Sequence, residues 1–282
     1  MPPMIEKIYI PTVRRANNQV TYENLPKELQ SKVIMVIDPA EKDFYNYDCQ
    51  YLELPESIIG TWAQLAKSRH FIYKHAGNIR YVVTDDDLII RKRNAKYWTG
   101  ISNMERSKRN ATPEEILEMF VKFDEWLNES SIGIVGPANS DAPPPPKEYS
   151  DTKGIFGFQA IDGNMLSQVI DKMDITSIRV AEDVLFMFEC LSNGINTRLS
   201  TEWMINNKSL SMAELKNTRV VWQEMYSPDN QPQDHFQTDN HYNALKYIQS
   251  KFPHAIKIYE KDGRRKNTKY WKRAYQENKN IW

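Results

Sequence analysis

Cysteine is almost absent from this 282-residue chain, which has only Cys49 and Cys190. Two cysteines so far apart form neither a disulfide framework nor a zinc site, so we expect a reducing, cytoplasmic compartment. Long apolar runs are also missing, because no stretch approaches the ~20 residues that span a bilayer. No apolar run follows a basic start, so neither a secretory signal nor a membrane partner is predicted.

Net charge is absent from the whole chain but not from its parts. The 37 basic and 37 acidic residues cancel. Leu88–Asn110, however, holds seven basic residues and one acidic residue, and Lys251–Trp282 holds ten and three. Two basic segments predict a polyanionic partner. The alternative is a pair of solvated surfaces.

Apolar patterning predicts strands that alternate with helices in the first part of the chain. Strands are predicted at Lys7–Ile10, Lys32–Ile37, Gln50–Leu54 (an edge strand) and Tyr81–Thr84, and a helix within Gly60–Ala76. This alternation indicates an α/β fold with a mixed, mainly parallel sheet flanked by helices. In such sheets, ligands bind at the carboxyl ends of the strands.

Further elements are predicted in the second part of the chain. Thr112 to Glu115 has the pattern of a capping box, which begins a helix that runs to about Asn128. Four consecutive prolines from Pro143 predict a loop. The other elements are strands at Ile132–Gly136 and Gly154–Ile161 and helices at Glu182–Gly194 and Tyr242–Phe252.

Three consecutive carboxylates, Asp85, Asp86 and Asp87, directly follow the predicted strand Tyr81–Thr84. Like charges this close repel, and each raises the pKa of its neighbours unless a positive charge lies between them. Hard divalent cations take oxygen ligands. On a strand Asp85 and Asp87 would share a face and Asp86 would point away. The cluster therefore predicts a D-x-D metal site, and the alternative is an acidic, solvated turn.

Several motifs occur in the order found in a known family. They are Ile10–Arg15, Val36–Pro39, Ser68–Arg69, Val83–Asp87, Gly157–Gln159 and Ala181–Phe186. With these motifs the chain resembles the GT-A glycosyltransferases, whose fold is Rossmann-like. More narrowly, it resembles the phage glycosyltransferases associated with TET-like dioxygenases, which act on hydroxymethylated pyrimidines in DNA. The likeness covers about Ile8 to Gly194, with a weaker match near Asn240–Pro253.

The resemblance implies a nucleotide-sugar site at the N-terminal strand ends. Pro11, Thr12 and Arg14 would border the base and ribose, and Asp38 would read one of them. Arg69 would face the diphosphate, because a guanidinium donates to phosphate oxygens as a fork. The aspartates would divide the remaining roles, with Asp85 and Asp86 near the ribose and Asp85 and Asp87 at the metal, Mn²⁺ or Mg²⁺.

The resemblance also implies an acidic pair near the acceptor at Glu182 and Asp183. One carboxylate is the base in inverting GT-A enzymes, because a hydroxymethyl group is a poor nucleophile until it loses its proton. Asp183 is the first choice, Glu182 the second and Asp162 the third. The alternative is that acids at a helix start only favour the helix dipole.

GT-A enzymes often complete the metal shell with a histidine from the C-terminal part of the chain. Here His235, His241 and His254 are the possible ligands, and neutral imidazole suits manganese-like ions. A single histidine in such a position is more often structural.

Basic and aromatic residues alternate in two segments, a combination that holds phosphates and stacks bases. A DNA acceptor would explain both, with the target base flipped out to reach the sugar. The residues predicted to bind DNA are Arg91, Arg93, Lys96, Arg264, Arg265 and Lys266.

We therefore expect a metal-dependent glycosyltransferase that uses a UDP-sugar on hydroxymethylated pyrimidine in phage DNA, in the cytoplasm of the infected bacterium. Residues 1–225 would form the catalytic core, with residues 226–282 packed on it. The first alternative is a GT-A enzyme for a glycan, lipid or protein; the second is a nucleic-acid-binding protein without activity. The sugar and the oligomeric state stay open.

Overall fold

The computed structural model describes residues 5–93, 108–139, 147–207 and 239–279. Lys96, His235 and the proposed boundary between residues 225 and 226 lie outside these ranges. Within them, ten strands form one sheet and two more form a hairpin. The strands are β1 (Lys7–Pro11), β2 (Val33–Ile37), β3 (Gln50–Glu53), β4 (Arg80–Thr84), β5 (Leu88–Arg93), β6 (Lys108–Asn110), β7 (Ile132–Asn139), β8 (Tyr149–Asp151), β9 (Phe158–Asp162), β10 (Asn196–Asn207), β11 (Ile256–Lys261) and β12 (Arg264–Lys269).

The large sheet is mixed and mainly parallel, as the sequence predicts. Its order is β3-β2-β1-β4-β9-β7-β10-β5-β6, with β8 paired to β10. Strands β3, β2, β1, β4, β7, β10 and β6 run in one direction, and β9, β5 and β8 run in the other. The carboxyl ends of β1, β2 and β4 therefore meet at one edge of the sheet.

Helices flank the sheet, and most begin or end where the sequence predicts. The capping box is confirmed: Thr112 Oγ1 accepts from the Glu115 N–H at 3.3 Å and Glu115 Oε2 from the Thr112 N–H at 2.9 Å. Short 3₁₀ helices span Pro39–Phe44 and Ile170–Lys172. The α-helices are α1 (Val20–Asn24), α2 (Lys27–Gln30), α3 (Gln64–Ala76), α4 (Pro113–Leu127), α5 (Gly163–Ser167), α6 (Glu182–Ser192), α7 (Asp239–Lys251) and α8 (Trp271–Lys279).

Strand β9 differs from its predicted extent of Gly154–Ile161, because it begins only at Phe158. The preceding Gly157 has φ 73°, a left-handed conformation that breaks the ladder and favours glycine. Strand β3 lies at the sheet edge as predicted.

The C-terminal elements pack on the core through helix α6. Leu185 and Phe188 of α6 share one buried cluster with Leu245 and Ile248 of α7 and with Ala274 of α8. Ion pairs reinforce the contact, since Lys251 reaches Glu189 at 2.6 Å. In the parts of the chain that the structure describes, no helix is long and apolar enough to span a membrane.

Candidate active site at the strand ends

Residues that the sequence singles out do meet at the carboxyl edge of the sheet. Thr12 follows β1, Asp38 follows β2, and Asp85 follows β4, and β1 pairs in parallel with both β2 and β4. Asp38 is half-buried and accepts from the Ala40 N–H at 2.9 Å. It therefore begins the 3₁₀ helix as well as facing this edge.

Asp86 is the centre of a buried group that we call the Asp86 cluster: Asp86, Thr12, Arg15 and Gln19. Its carboxylate accepts from Thr12 Oγ1 at 2.7 Å and from Arg15 Nη1 at 2.6 Å. Gln19 donates in turn to Thr12 Oγ1 at 2.8 Å. Burial raises the pKa of Asp86 to about 7, although Arg15 and Thr12 pull it down. Asp86 thus fastens the loop after β1 to the end of β4.

Two polar atoms of this cluster are buried without a hydrogen-bond partner among the described residues: Gln19 Oε1 and Arg15 Nη2. A buried polar group without a partner costs free energy. Thr12 also lies 3.5 Å from the hydroxyl of Tyr45, which is 3.3 Å from Glu41 Oε2. Arg15 and Gln19 are not among the site residues predicted from the sequence, although the pair Arg14-Arg15 belongs to the motif.

The backbone of the aspartate loop is held by helix α1. Thr21 Oγ1 donates to the Asp85 carbonyl at 2.6 Å and accepts from the Leu88 N–H at 2.9 Å. The Asp85 N–H donates to the Gly157 carbonyl at 2.8 Å. A Cβ on Gly157 would lie 3.4 Å from Asp85 Oδ2, an ordinary van der Waals contact, so it is the φ of 73° that favours glycine here.

Pro11 and Arg14 border the same edge. Pro11 is the last residue of β1. Arg14 has φ 54°, a left-handed conformation that is strained for a residue other than glycine, and its N–H donates to Glu41 Oε2 at 2.8 Å. The loop conformation is therefore fixed by contacts between the ends of β1 and β2.

Asp87 lies between Arg15 and the end of β10. Its Oδ2 is 3.5 Å from Arg15 Nη1, and Asn207 donates to its Oδ1 at 3.1 Å. Arg15 therefore contacts both Asp86 and Asp87. The strand alternation that would separate these two carboxylates does not apply, because β4 ends at Thr84.

The Asp85 cluster consists of Asp85, Arg69, Glu182 and Asp183. Arg69 lies on the same face of α3 as the buried Ala66, Tyr73 and Ala76, so it points into the protein. Its Nη2 is 2.7 Å from Asp85 Oδ1 and its Nε 3.4 Å from Glu182 Oε1. Arg69 thus joins the end of β4 to the start of α6.

The charges of the Asp85 cluster perturb one another. Burial raises the pKa of Asp85 against the opposing effect of Arg69, and the nearby Asp87 raises it further. The Asp85 side chain is still 37% exposed. Burial opposes the charged form of Arg69, but Asp85 and Glu182 together raise its pKa.

Glu182 and Asp183 begin helix α6 with different surroundings. Glu182 is 6% exposed, and burial, followed by the charge of Asp183, raises its pKa to about 7. Asp183 is half-buried, and its carboxylate accepts from the Val184 N–H at 2.7 Å. The preceding Ala181 has φ 60°, a strained conformation of the kind that clusters at functional sites.

Asp162 lies away from this cluster, which corrects its place among the possible bases. In the β4–β9 ladder, Asp162 pairs with Arg80 at the start of β4, whereas Asp85 follows the other end. Its carboxylate is 3.6 Å from Arg80 Nε and accepts from the Asn164 N–H at 2.9 Å. Asp162 therefore caps helix α5. It lies at the far end of β4 from Asp85 because β9 is antiparallel to β4.

A divalent cation fits the chemistry of Asp85 and Asp87, since both present oxygen ligands and Asp87 raises the pKa of Asp85. Within residues 5–93, 108–139, 147–207 and 239–279, no group of three or more His, Cys, Asp or Glu side chains is arranged to hold a metal. His241 is buried at the start of α7, where its neighbours join the cluster around Leu185. A complete shell thus needs a ligand from other residues or from a bound phosphate.

The residues predicted to bind DNA have different positions. Arg93 is 5% exposed, and burial lowers its pKa, so it does not lie on an open surface. Arg91 is half-buried on the same strand. Arg264 and Lys266 are exposed, whereas Arg265 packs over the ring of Tyr242 at 4.5 Å.

Lys269 is a residue that the sequence analysis missed. It ends β12 and donates to Asn267 Oδ1 at 2.8 Å. Burial lowers the pKa of its amine, and the charge of Asp183 acts in the opposite direction. Lys269 therefore brings a cation near the acidic start of α6.

Comparison with known protein families gives one match. The family described as TET-associated glycosyltransferase matches residues 6–214 of the chain. A search of curated proteins found no match.

Similar solved structures are distant in sequence and in shape. A UDP-glucose pyrophosphorylase from Acinetobacter baumannii has 9% identity and a TM-score of 0.40, with 88% of this chain and 99% of that chain covered. A UTP-bound UGPase from the same species has 10% identity and a TM-score of 0.38, with 87% and 99% covered. The fold assignment therefore rests on the sheet topology itself.

Proposed function

The chain belongs to the TET-associated glycosyltransferase family and is a glycosyltransferase, and we propose that it transfers a sugar from a UDP-sugar to a hydroxymethylated pyrimidine in phage DNA with the help of Mn²⁺ or Mg²⁺. The observation that carries the proposal is the Asp85 cluster. It gathers a strand-end carboxylate, a buried arginine and two helix-start carboxylates at one edge of the sheet. This edge is where α/β sheets bind nucleotides.

The donor lies across the ends of β1, β2 and β4 in this proposal. Thr12, Arg14 and Asp38 border the base and ribose, and Asp85 approaches the ribose. The loop conformation needed for this contact is supported by the Asp86–Thr12 bond of 2.7 Å. Asp86 itself is 7% exposed, so it acts by holding Thr12 and Arg15 and not by direct contact.

The diphosphate lies between Asp87 and Arg69. A divalent cation held by Asp85 and Asp87 would neutralise the diphosphate as it leaves. Arg69 donates a hydrogen bond to Asp85 and forms an ion pair with Glu182, so its first task is to orient these carboxylates. Its fixed charge also favours negative charge that develops beside it.

The reaction joins the hydroxymethyl oxygen to the first carbon of the sugar. The bond between that carbon and the diphosphate oxygen breaks, and the nucleoside diphosphate leaves with the electron pair. The Asp183 carboxylate takes the hydroxymethyl proton. Asp183 suits this role better than Glu182, because Asp183 is half-buried while Glu182 is enclosed beside Arg69.

Mass spectrometry of the acceptor tests the proposal. The full chain is incubated with Mn²⁺, a panel of nucleotide sugars and duplex DNA that contains hydroxymethylcytosine, and the DNA is then digested to nucleosides. We expect the mass of one sugar on the hydroxymethyl nucleoside and none on unmodified cytosine. Transfer only to a glycan, lipid or protein acceptor in a parallel panel would replace the DNA proposal, and no transfer from any donor would end it.

A further inference from the structure

The hairpin β11–β12 lies beyond the residues that match the family, which end at 214. Its strands pair in register from Ile256 with Lys269 to Lys261 with Arg264. The connection is Asp262-Gly263, with φ 53° and 67°, and this two-residue turn with positive φ matches the twist of a hairpin. Residues directly opposite each other in the ladder share a face.

The inner face of the hairpin is occupied by the protein. Ile256 is 2% exposed and joins the cluster of α6 and α7, and Ile258 packs against it. Arg265 is on this face too, over the ring of Tyr242 of α7. The inner face thus fastens the hairpin to the core.

The outer face carries four cations around one aromatic ring. Lys257, Lys261, Arg264 and Lys266 are exposed, and Tyr259, opposite Lys266, is 38% exposed. The sixth residue of this face is Thr268, so the two strands place no acid on it.

The charges of the outer face are not neutralised within the described residues. None of Lys261, Arg264 and Lys266 forms an ion pair there, whereas some exposed lysines elsewhere do. Lys42, for example, pairs with Glu53 at 2.6 Å, and Lys74 pairs with Asp171. An exposed group of unpaired cations favours a polyanion.

Strand β12 connects this face to the candidate active site. It runs from Arg264 to Lys269, five residue steps or roughly 17 Å. Just beyond Lys269, the ring of Trp271 stacks on that of Phe188 of α6 with 4.5 Å between centroids, which holds the end of β12 against the helix that Asp183 begins. One strand of DNA advances about 3.4 Å per nucleotide, so about five nucleotides would cover this distance.

We propose that the outer face of the hairpin, Lys257, Tyr259, Lys261, Arg264 and Lys266, binds the phosphate backbone of the DNA acceptor beside the nucleotide that enters the active site. This inference rests on the proposed function for its choice of DNA. Phosphate contacts position a nucleic acid and carry no sequence information, and the Tyr259 hydroxyl adds a donor. The hairpin therefore sets affinity and register, while the site selects the hydroxymethyl group.

A salt titration of DNA binding tests the surface. The full chain and the variant Lys257→Gln, Lys261→Gln, Arg264→Gln, Lys266→Gln bind a fluorescent duplex over a range of salt concentrations. Each phosphate contact contributes about 0.9 to the slope of log Kd against log salt. We expect the slope of the variant to be smaller than that of wild type by about 3 to 4.

Two controls separate the effect of where a charge lies from the effect of the total charge of the protein. The variant Lys27→Gln, Lys42→Gln, Lys74→Gln, Lys172→Gln removes four exposed charges elsewhere and should keep the wild-type slope. Within the hairpin, Lys266→Gln should lower the slope by about 0.9, whereas Arg265→Gln on the inner face should leave it unchanged. Equal slopes for wild type and the outer-face variant, or equal losses in both fourfold variants, would overturn the inference.

A nucleoside acceptor separates this inference from the proposed function. The outer-face variant should transfer sugar to free hydroxymethyldeoxycytidine at the wild-type rate, and should show a raised KM for hydroxymethylated duplex. An equal loss on both acceptors would assign the hairpin a role in folding and overturn the docking surface. If wild type transfers no sugar to either acceptor while the slopes still differ, the proposed function fails and the DNA surface stands.

Discussion

The Asp85 and Asp86 clusters show how two neighbouring aspartates can take unlike roles. Asp86 is enclosed, and its two short hydrogen bonds hold the loop after β1. Asp85 stays 37% exposed and pairs with an arginine that also reaches Glu182. The same residue type is therefore enclosed and structural in one cluster and partly open to solvent in the other.

What separates the two clusters is the surface each leaves open. Thr12 and Gln19 fill the space around Asp86, with 7% and 0% exposure. The Asp85 side chain, by contrast, stays partly exposed, and the neighbouring Asp183 is half-buried. Changes in the Asp85 cluster should thus affect catalysis more than stability, and changes in the Asp86 cluster should do the reverse.

The largest effect is expected from Asp183→Asn. Loss of the base should lower sugar transfer by about 10²- to 10⁴-fold. Nucleotide binding should stay nearly intact, as for a group that acts mainly in the transition state. The matched control is Asp162→Asn, at the other end of β4, which should keep the wild-type transfer rate and also its helix cap, because asparagine caps a helix about as well as aspartate does. Single-turnover transfer and a UDP titration measure both, and a normal rate in Asp183→Asn would make it a helix-start acid only.

Metal removal should have the next largest effect. A cation at a leaving group supplies several kcal/mol, so EDTA should lower transfer by about 10²- to 10³-fold, and added Mn²⁺ should restore it. Asp87→Ala should show a similar loss that Mn²⁺ does not restore at the same concentration. The melting temperature of the variant should stay near that of wild type, because the side-chain contacts of Asp87 among the described residues are those with Arg15 and Asn207. Full activity in EDTA would exclude the metal role.

The sequence predicts the parallel half of the sheet because its signals there are local. Strands β1, β2 and β4 are apolar runs that end at Pro11, Asp38 and the aspartates, and their order places these ends together. The family resemblance is confirmed by the match over residues 6–214. The roles of the individual site residues stay predictions.

Side-chain pairing between distant segments could not be read from the sequence. Lys92 lies in a segment that looks basic, yet it approaches Glu115, Glu118 and Glu202 within 3.6 Å. These partners are on α4 and β10, so only the folded sheet neutralises the charge. The hairpin β11–β12, by contrast, had a local signal in Asp262-Gly263 between alternating residues, and the sequence analysis passed over it.

A smaller effect, on stability, is expected in the Asp86 cluster. Asp86→Ala removes the acceptor for Thr12 and Arg15 and leaves buried donors unpaired, at a cost of about 2 to 3 kcal/mol. The melting temperature should fall by about 5 °C, while the exposed Asp43→Ala should leave it unchanged. Thermal melts give the answer, and an unchanged melting temperature in Asp86→Ala would show that the loop after β1 is held by other contacts.

The smallest effect is the pH dependence that Glu182 adds to stability. Its pKa in the folded chain, about 7, lies above the usual 4.5. The contribution of Glu182 to stability is therefore fully present below pH 4.5 and is lost as the pH rises through about 7. Glu182→Gln keeps an acceptor for Arg69 and cannot ionise, so it should lose less stability than wild type between pH 5 and 8. We expect a divergence on the order of 1 kcal/mol, because part of the shift at Glu182 comes from the neighbouring charge of Asp183.

Melting curves across this pH range measure that divergence, with Glu56→Gln as the control. Glu56 is exposed, so its variant should follow wild type at every pH. The experiment tests the Asp85 cluster, since Glu182 is a carboxylate that burial keeps partly protonated beside the proposed base. Parallel curves for Glu182→Gln and wild type would mean that Arg69 stabilises the ionised carboxylate fully, and that Glu182 is charged at neutral pH.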